Sequence, residues 1–419
     1  MFNGIYNKTI IPVILIAIIP IGLLISSGVS ELLSILLAII YACHLIYEKK
    51  ILIINNLYFR LLLILWCYLI INHLFSVTYE INEYSLRSYG FIKYILFIFA
   101  FKFYLEKSKN FKLISLFWTF ILIIVCFDVF FEYFNHHNIL GLTSNNATRI
   151  ASFLGKELKI GNFILGFYLL SASYLLIESK KKPILFLITC YFYLIVLITA
   201  LYITGERANA IRGLFCLILF VIFGDSKILK FKNLFLIVTI LTIIITCLIS
   251  ERLRIRFIGQ IIQPSKNEGI FNTFKNSQYG AHYDTAYKIF KSHPIFGVGN
   301  KNFRYECQKE EYFNKNFSWS QQRCATHPHQ IYLELISEHG TVGTLIILYI
   351  IFFIIYKNIK IYNKDKNLIH LASILFVLQT FLPLIPSGSF FVSWTSTIFW
   401  INFSMMMTFA IPKKGFDKK

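Results

Sequence analysis

The chain has 419 residues, of which 57% are hydrophobic and only 15% charged, with a formal net charge of +20. A soluble protein of this length has no means of covering so much apolar surface, so the composition excludes a string of soluble domains and points to an all-α, polytopic membrane protein. The positive charge resides largely in lysines set in short loops between apolar runs, where it orients a chain in a membrane, and no nucleic-acid partner is expected.

Apolar runs long enough to cross a bilayer recur along the whole length. In order, the expected spans are 9–26, 31–47, 57–75, 89–105, 113–133, 161–178, 184–203, 208–224, 233–250, 341–357, 367–386 and 393–411, about twelve transmembrane helices. The first is longer than a signal-peptide core and lacks a small-residue cleavage site after it, so it is read as a span. With the N-terminus inside, the inner loops hold Lys49 and Lys50; Lys107, Lys109 and Lys112; Lys180, Lys181 and Lys182; Lys227, Lys230 and Lys232; and Lys357, Lys360, Lys364 and Lys366. The tail adds Lys413, Lys414, Lys418 and Lys419, while the first outer loops carry Glu31, Glu80 and Glu83 against Arg87. Every short Lys-rich loop then falls on one side, and both termini are expected in the cytoplasm.

Two outer segments are longer. Residues 135–160 contain Arg149, and residues 251–328 are too polar to cross and too long for a plain turn. The second is basic, with Arg252, Arg254, Arg256, Arg304 and Arg323, which a large anionic ligand would account for. The chain divides accordingly into transmembrane helices over 1–134, helices with Arg-bearing outer edges over 135–250, a large outer loop containing short helices over 251–340, and C-terminal spans with a basic tail over 341–419. Six of the eight cysteines lie in or beside spans and read as small buried hydrophobes. Cys307 and Cys324 lie in the long polar segment and are placed to form a disulfide if that segment faces an oxidising compartment. No cysteine pair has the spacing of a zinc site.

The densest chemistry runs from His327 to Gly343, at the edge of an apolar run. Charge near hydrocarbon is costly and usually faces a cavity. From His329 to Ser337 the pattern is helical, with His329, Leu333 and Ile336 on one face, and Gly340 is expected to end or bend the segment before the next span. Two readings follow: a short interfacial helix presents His329 to a cavity, or its histidines only sit among headgroups. Glu338 is expected to be solvated and structural. Gly297 and Gly299 are expected to permit a tight backbone turn.

His329-Gln330, nine residues, Gly340, two residues and Gly343 resemble the His-[Asn/Ser/Gln]-x9-Gly-x-x-[Gly/Thr/Tyr] pattern of the O-antigen ligase family, which shares a domain with O-antigen polymerases. The stretch from Ala286 to Gly299, with Pro294, Gly297 and Gly299, continuing to Phe303-Arg304, is similar to the superfamily's Pro-x-x-Gly-x-Gly-x-x-x-Phe segment. Thr204-Gly205-Glu206-Arg207-Ala208-Asn209-Ala210-Ile211 resembles its Ser-Arg or Arg-x3-Leu block, with Ile211 in place of Leu, and Arg149-Ile150-Ala151-Ser152-Phe153-Leu154-Gly155 is similar to a fourth block. Tyr279 stands where many members carry an Arg, with His282 nearby. The resemblance covers roughly residues 128–356. It implies a glycosyltransferase of the bacterial inner membrane with a periplasmic active site, no metal and no cofactor. The chain also has no Asp-x-Asp in its outer loops. The implied partners are an undecaprenyl-diphosphate-linked glycan donor, a lipid A core or other glycan acceptor, and membrane lipid. On that basis Arg207, Arg304 and Arg149 are expected to hold the diphosphate, and His329 to act as the base, since its unperturbed pKa lies near working pH.

An O-antigen polymerase or a protein O-oligosaccharyltransferase would use the same donor chemistry. A lipid-linked sugar flippase is the alternative outside enzymes. Transporters tend to place ionisable groups in mid-span within repeated halves. Here those groups concentrate in one outer loop, no repeat is evident, and Asp128 is the main intramembrane acid.

Overall fold

The computed structural model describes residues 2–48, 51–76, 86–107, 111–317 and 319–409. Lys49, Lys50, Glu80, Glu83, Lys109 and the four tail lysines lie outside them. Among the described residues there is no strand. The helices are α1 (Phe2–Ile25), α2 (Ser27–Tyr47), α3 (Leu57–Leu74), α4 (Leu86–Gly90), α5 (Ile92–Lys107), α6 (Phe111–Asn135), α7 (Ile160–Ser179), α8 (Ile184–Ile203), α9 (Arg207–Phe223) and α10 (Lys232–Ile249). The polar segment follows with α11 (Glu251–Arg254), a π-helical stretch (Ile255–Ile262), α12 (Gln263–Glu268), α13 (Ile270–Lys275), α14 (Gln278–Ser292) and α15 (Phe303–Glu306). Then come α16 (Ile331–Asp365), α17 (Leu368–Thr380) and α18 (Ser393–Thr408).

Helix is what the apolar runs must form, because in hydrocarbon each backbone N–H and C=O has to be satisfied within its own segment. Starts are set by short polar side chains: Ser26 accepts from the Val29 amide (3.1 Å), Asn56 from Tyr58 (2.9 Å) and Asn367 from Ile369 (2.9 Å). Every expected span coincides with a helix, yet only eight helical stretches among the described residues are long and apolar enough to cross a membrane. The expected span over 367–386 overruns most. Helix α17 stops at Thr380, ahead of Pro383 and Pro386, which lack the N–H a helix needs, and residues 381–392 form a non-helical connection to α18. One apolar core runs from Val13 in α1 to Met407 in α18, and a small second one gathers Ala286, Ile289, Val298, Phe303, Cys307 and Tyr312 in the polar segment.

The junction that positions everything else is a break in α16 at Gly340 (φ 61°, ψ −164°). An unbroken helix would bond the Thr341 amide to the Ser337 carbonyl and the Val342 amide to that of Glu338. Residues 294–299 insert between these groups and satisfy all four. Thr341 donates to the Pro294 carbonyl (2.8 Å) and Val342 to that of Ile295 (3.1 Å), while the Val298 amide donates to Ser337 (3.0 Å) and that of Gly299 to Glu338 (2.9 Å). Backbone meets backbone so closely that a Cβ on Gly340 would strike the Ile295 carbonyl, and one on Gly297 (φ 68°) the Glu338 carbonyl. From α3, Tyr68 donates to the His339 carbonyl (3.1 Å) and Asn72 to that of Phe296 (2.8 Å). Gly343 packs directly under Tyr68.

Candidate active site

A cavity of about 750 Å³ opens between α9, the π-helical stretch, the loop before α16 and the 381–392 connection. Arg149, Arg207, Arg212 and Arg256 all line it, as do His327, His329 and Tyr279.

The arginines arrive on separate elements. Arg149 sits in the α6–α7 loop, which acids at the end of α6 tie down. Asp128 accepts from the Ile139 amide (2.8 Å) and from the Ser152 hydroxyl, and Glu132 accepts from the Ser152 amide (2.6 Å). Asp128 is therefore a structural acid that anchors the loop. The Ile150 amide then docks on the Thr204 carbonyl (3.1 Å), which brings Arg149 beside the start of α9. Arg207 is the first residue of α9 and donates to the Arg256 carbonyl (3.4 Å). Arg256 grips the Gly205 carbonyl through Nε (3.2 Å) and Nη2 (3.0 Å). Arg212, one turn further into α9, donates to the Ile385 carbonyl (3.2 Å). Among the described residues none of the four forms an ion pair with a carboxylate. Glu206 is the nearby acid, and its oxygens already accept from the Gly161 amide (2.8 Å) and the Asn209 side chain (2.6 Å). The crowding is felt: burial, then Arg207 and Arg149, push the Arg256 guanidinium down to about 10. Positive charge held in this way has the chemistry to receive a multiply charged anion.

His329 does not lie on a helix. Gln330 caps α16 by accepting from the Leu333 amide (2.8 Å), so helix starts at Ile331 and His329 takes a left-handed backbone (φ 58°). The expected helical face over His329, Leu333 and Ile336 thus loses its first member. Strained backbone of this kind persists where its surroundings over-determine it. Here the Ser387 amide donates to the His329 carbonyl (2.8 Å), and the Tyr283 hydroxyl reaches it at 3.5 Å. The His329 ring stacks on His282 (centroids 5.3 Å apart, 18° between planes) and lies 4.2 Å from that of His327. Burial, then His282, pull His329 down to about 4, and burial holds His282 and His327 low as well. All three imidazoles are therefore neutral at neutral pH.

Of the other residues singled out in the sequence, Arg304 does not line the cavity and donates instead to the Thr326 carbonyl (3.3 Å). Gly297, Gly299, Gly340 and Gly343 build the junction beneath the site. Cys307 and Cys324 are joined in a disulfide (Cα–Cα 5.4 Å) that closes the loop ahead of His327. Glu338, expected in solvent, is fully buried and accepts from the Lys301 amide (2.8 Å) and that of Phe303 (3.3 Å). Sequence reasoning gave no role to Arg212, Lys301 or Glu334 and counted Arg256 only as one basic residue among several. An arginine within an apolar run was the available signal for Arg212. Among the described residues no three His, Cys, Asp or Glu side chains gather as metal ligands.

No curated protein matches the chain. Residues 192–348 match the family model described as O-antigen ligase, an interval that holds Arg207, Arg212, Arg256 and His329 but leaves out Arg149 and the 381–392 connection. Over that segment the chain, a multi-pass helical membrane protein, is similar to the O-antigen ligase family.

Proposed function

We propose that the chain is an O-antigen ligase of the bacterial inner membrane, with both termini cytoplasmic and the cavity on the periplasmic face. It moves polysaccharide from undecaprenyl diphosphate to a sugar hydroxyl of the lipid A core. The observation that carries this reading is one cavity holding four arginines, which pair with no carboxylate among the described residues, together with a neutral histidine.

The donor brings its own activation, since the sugar leaves from a diphosphate. Arg149, Arg207, Arg212 and Arg256 meet the diphosphate charge and stabilise it as it grows on the departing oxygen. The reading assigns this charge to arginine, with no metal and no cofactor. Neutral His329 takes the proton of the acceptor hydroxyl through a ring nitrogen. The hydroxyl oxygen attacks the anomeric carbon, the bond to the diphosphate oxygen breaks, and its electron pair leaves with undecaprenyl diphosphate. Arg304 is given a supporting part, holding the Thr326 backbone just ahead of His327.

The test is complementation of a strain lacking its own ligase, read as O-antigen on lipopolysaccharide. Wild type is expected to restore it, and His329→Ala, present at equal level in the membrane, to lose about a hundredfold of the transfer rate. Wild type that restores nothing there but rescues chain length in a polymerase-deficient strain would move the assignment to polymerase. A His329→Ala variant as active as wild type would remove His329 from the chemistry.

A further inference from the structure

Directly behind the cavity lies a buried charge pair that the proposed chemistry does not use. Lys301 and Glu334 are both 0% exposed, and Lys301 Nζ lies 3.3 Å from Glu334 Oε1. Taking two charges out of water is expensive, so such a pair calls for a reason beyond stability. Its other contacts supply one. Lys301 Nζ also donates to the Ser389 hydroxyl (2.6 Å), that hydroxyl donates to Glu334, and the Phe390 amide donates to Glu334 Oε2 (2.9 Å). Glu334 is thus the anchor of the 381–392 connection. The same connection supplies the Ser387 amide to the His329 carbonyl (2.8 Å) and its carbonyl to His327 Nε2 (3.3 Å). It also supplies the Ile385 carbonyl to Arg212 (3.2 Å). Both ends of the pair are tied to the motif segments: Glu334 lies in the first turn of α16, and Lys301, itself in left-handed backbone (φ 66°), follows Gly299.

We propose that Lys301, Glu334 and Ser389 form a lock that holds residues 385–390 against His329, and so act as positioning residues for the transfer step. The lock's role in transfer rests on the reading of His329 as the base; its structural action on residues 385–390 does not. Lys301 pairs with Glu334, and the carboxylate accepts two donors from the connection. Ser387, held in turn, over-determines the strained His329 backbone and sets the ring on the cavity wall. Remove the cation and the buried Glu334 is left without its ion-pair partner, and the connection loosens.

The full chain in lipid nanodiscs tests this with Lys301→Met, Ser389→Ala and the double variant Lys301→Met/Glu334→Gln, which is neutral and keeps the acceptor oxygen for Phe390. Deuterium exchange over residues 385–390 is read beside donor KM and kcat. Lys301→Met is expected to speed exchange there and to lower kcat about a hundredfold, the scale of one broken buried pair, with donor KM near wild type because most of the arginine cluster is untouched. Ser389→Ala, which leaves both charges paired and tests the same point if Lys301→Met does not accumulate, is expected to lower kcat about tenfold. The double variant is expected to recover most of both readouts. Unchanged exchange over 385–390 in Lys301→Met and Ser389→Ala overturns the lock, as does a double variant no better than Lys301→Met. A wild-type chain that transfers no glycan to any acceptor removes the proposed function instead, and the exchange data still decide the lock.

Discussion

Arg256 and Arg304 belong to the same basic segment, yet only Arg256 faces the cavity, where it shares a tight electrostatic field with Arg149 and Arg207. A diphosphate placed there relieves repulsion that the empty site must bear. Arg256→Ala is therefore expected to raise donor KM about tenfold or more, since hydrogen bonds to a charged group are worth roughly 1.5–3 kcal/mol. Arg304→Ala is expected to leave donor KM near wild type and to act on stability; steady-state kinetics with a lipid-linked donor separates the two. His329 makes a second expectation. Its folded pKa of about 4 lies below the ordinary value of 6.5. If His329 is the base, as proposed, its neutral form is the active one, so the transfer rate should be flat from neutral pH down to about pH 5 and fall only as pH passes through about 4. The stability linkage has the same sign: the contribution of His329 is fully present above pH 6.5 and is lost as pH falls toward 4, because the unfolded chain binds the proton first. A pH–rate profile with an inflection near 6.5 would contradict the burial that sets this value.

At the scale of elements, the break in α16 joins the two glycine motifs that stand far apart in the chain. The sequence placed a bend at Gly340, and the structure shows its purpose: four backbone groups freed by the bend are taken up by residues 294–299. Gly340→Ala would put a Cβ against the Ile295 carbonyl at a backbone conformation that L-residues rarely adopt. A loss of about 3 kcal/mol is expected, seen as a lower melting temperature in detergent and less protein in the membrane. The bend was legible because glycine is a local signal. Its partner was not, since insertion of one backbone into another helix depends on two segments meeting in space. The 381–392 connection was misread for a related reason. Hydropathy carried the expected span through Pro383 and Pro386, although neither can continue a helix.

At the scale of the whole molecule, composition and the recurrence of apolar runs were enough to make the chain a multi-pass helical membrane protein, and the lysine asymmetry predicts its orientation. These are properties of local stretches, so the sequence carries them openly. The motif spacing around His329 likewise led to the ligase and polymerase superfamily that residues 192–348 match. What tertiary structure alone decided is convergence. Arg149, Arg207, Arg212 and Arg256 come from a loop, a helix start, a helix interior and a π-helical stretch, and meet with His329 in one cavity. Arg304, nearer to His329 in sequence than any of them, points to a backbone carbonyl. Lys301 and Glu334, given no role from the sequence, are sealed behind the site. Sequence separation says little about such meetings, because helix packing and the bonds of interrupted backbone bring these side chains together, and both depend on the folded whole.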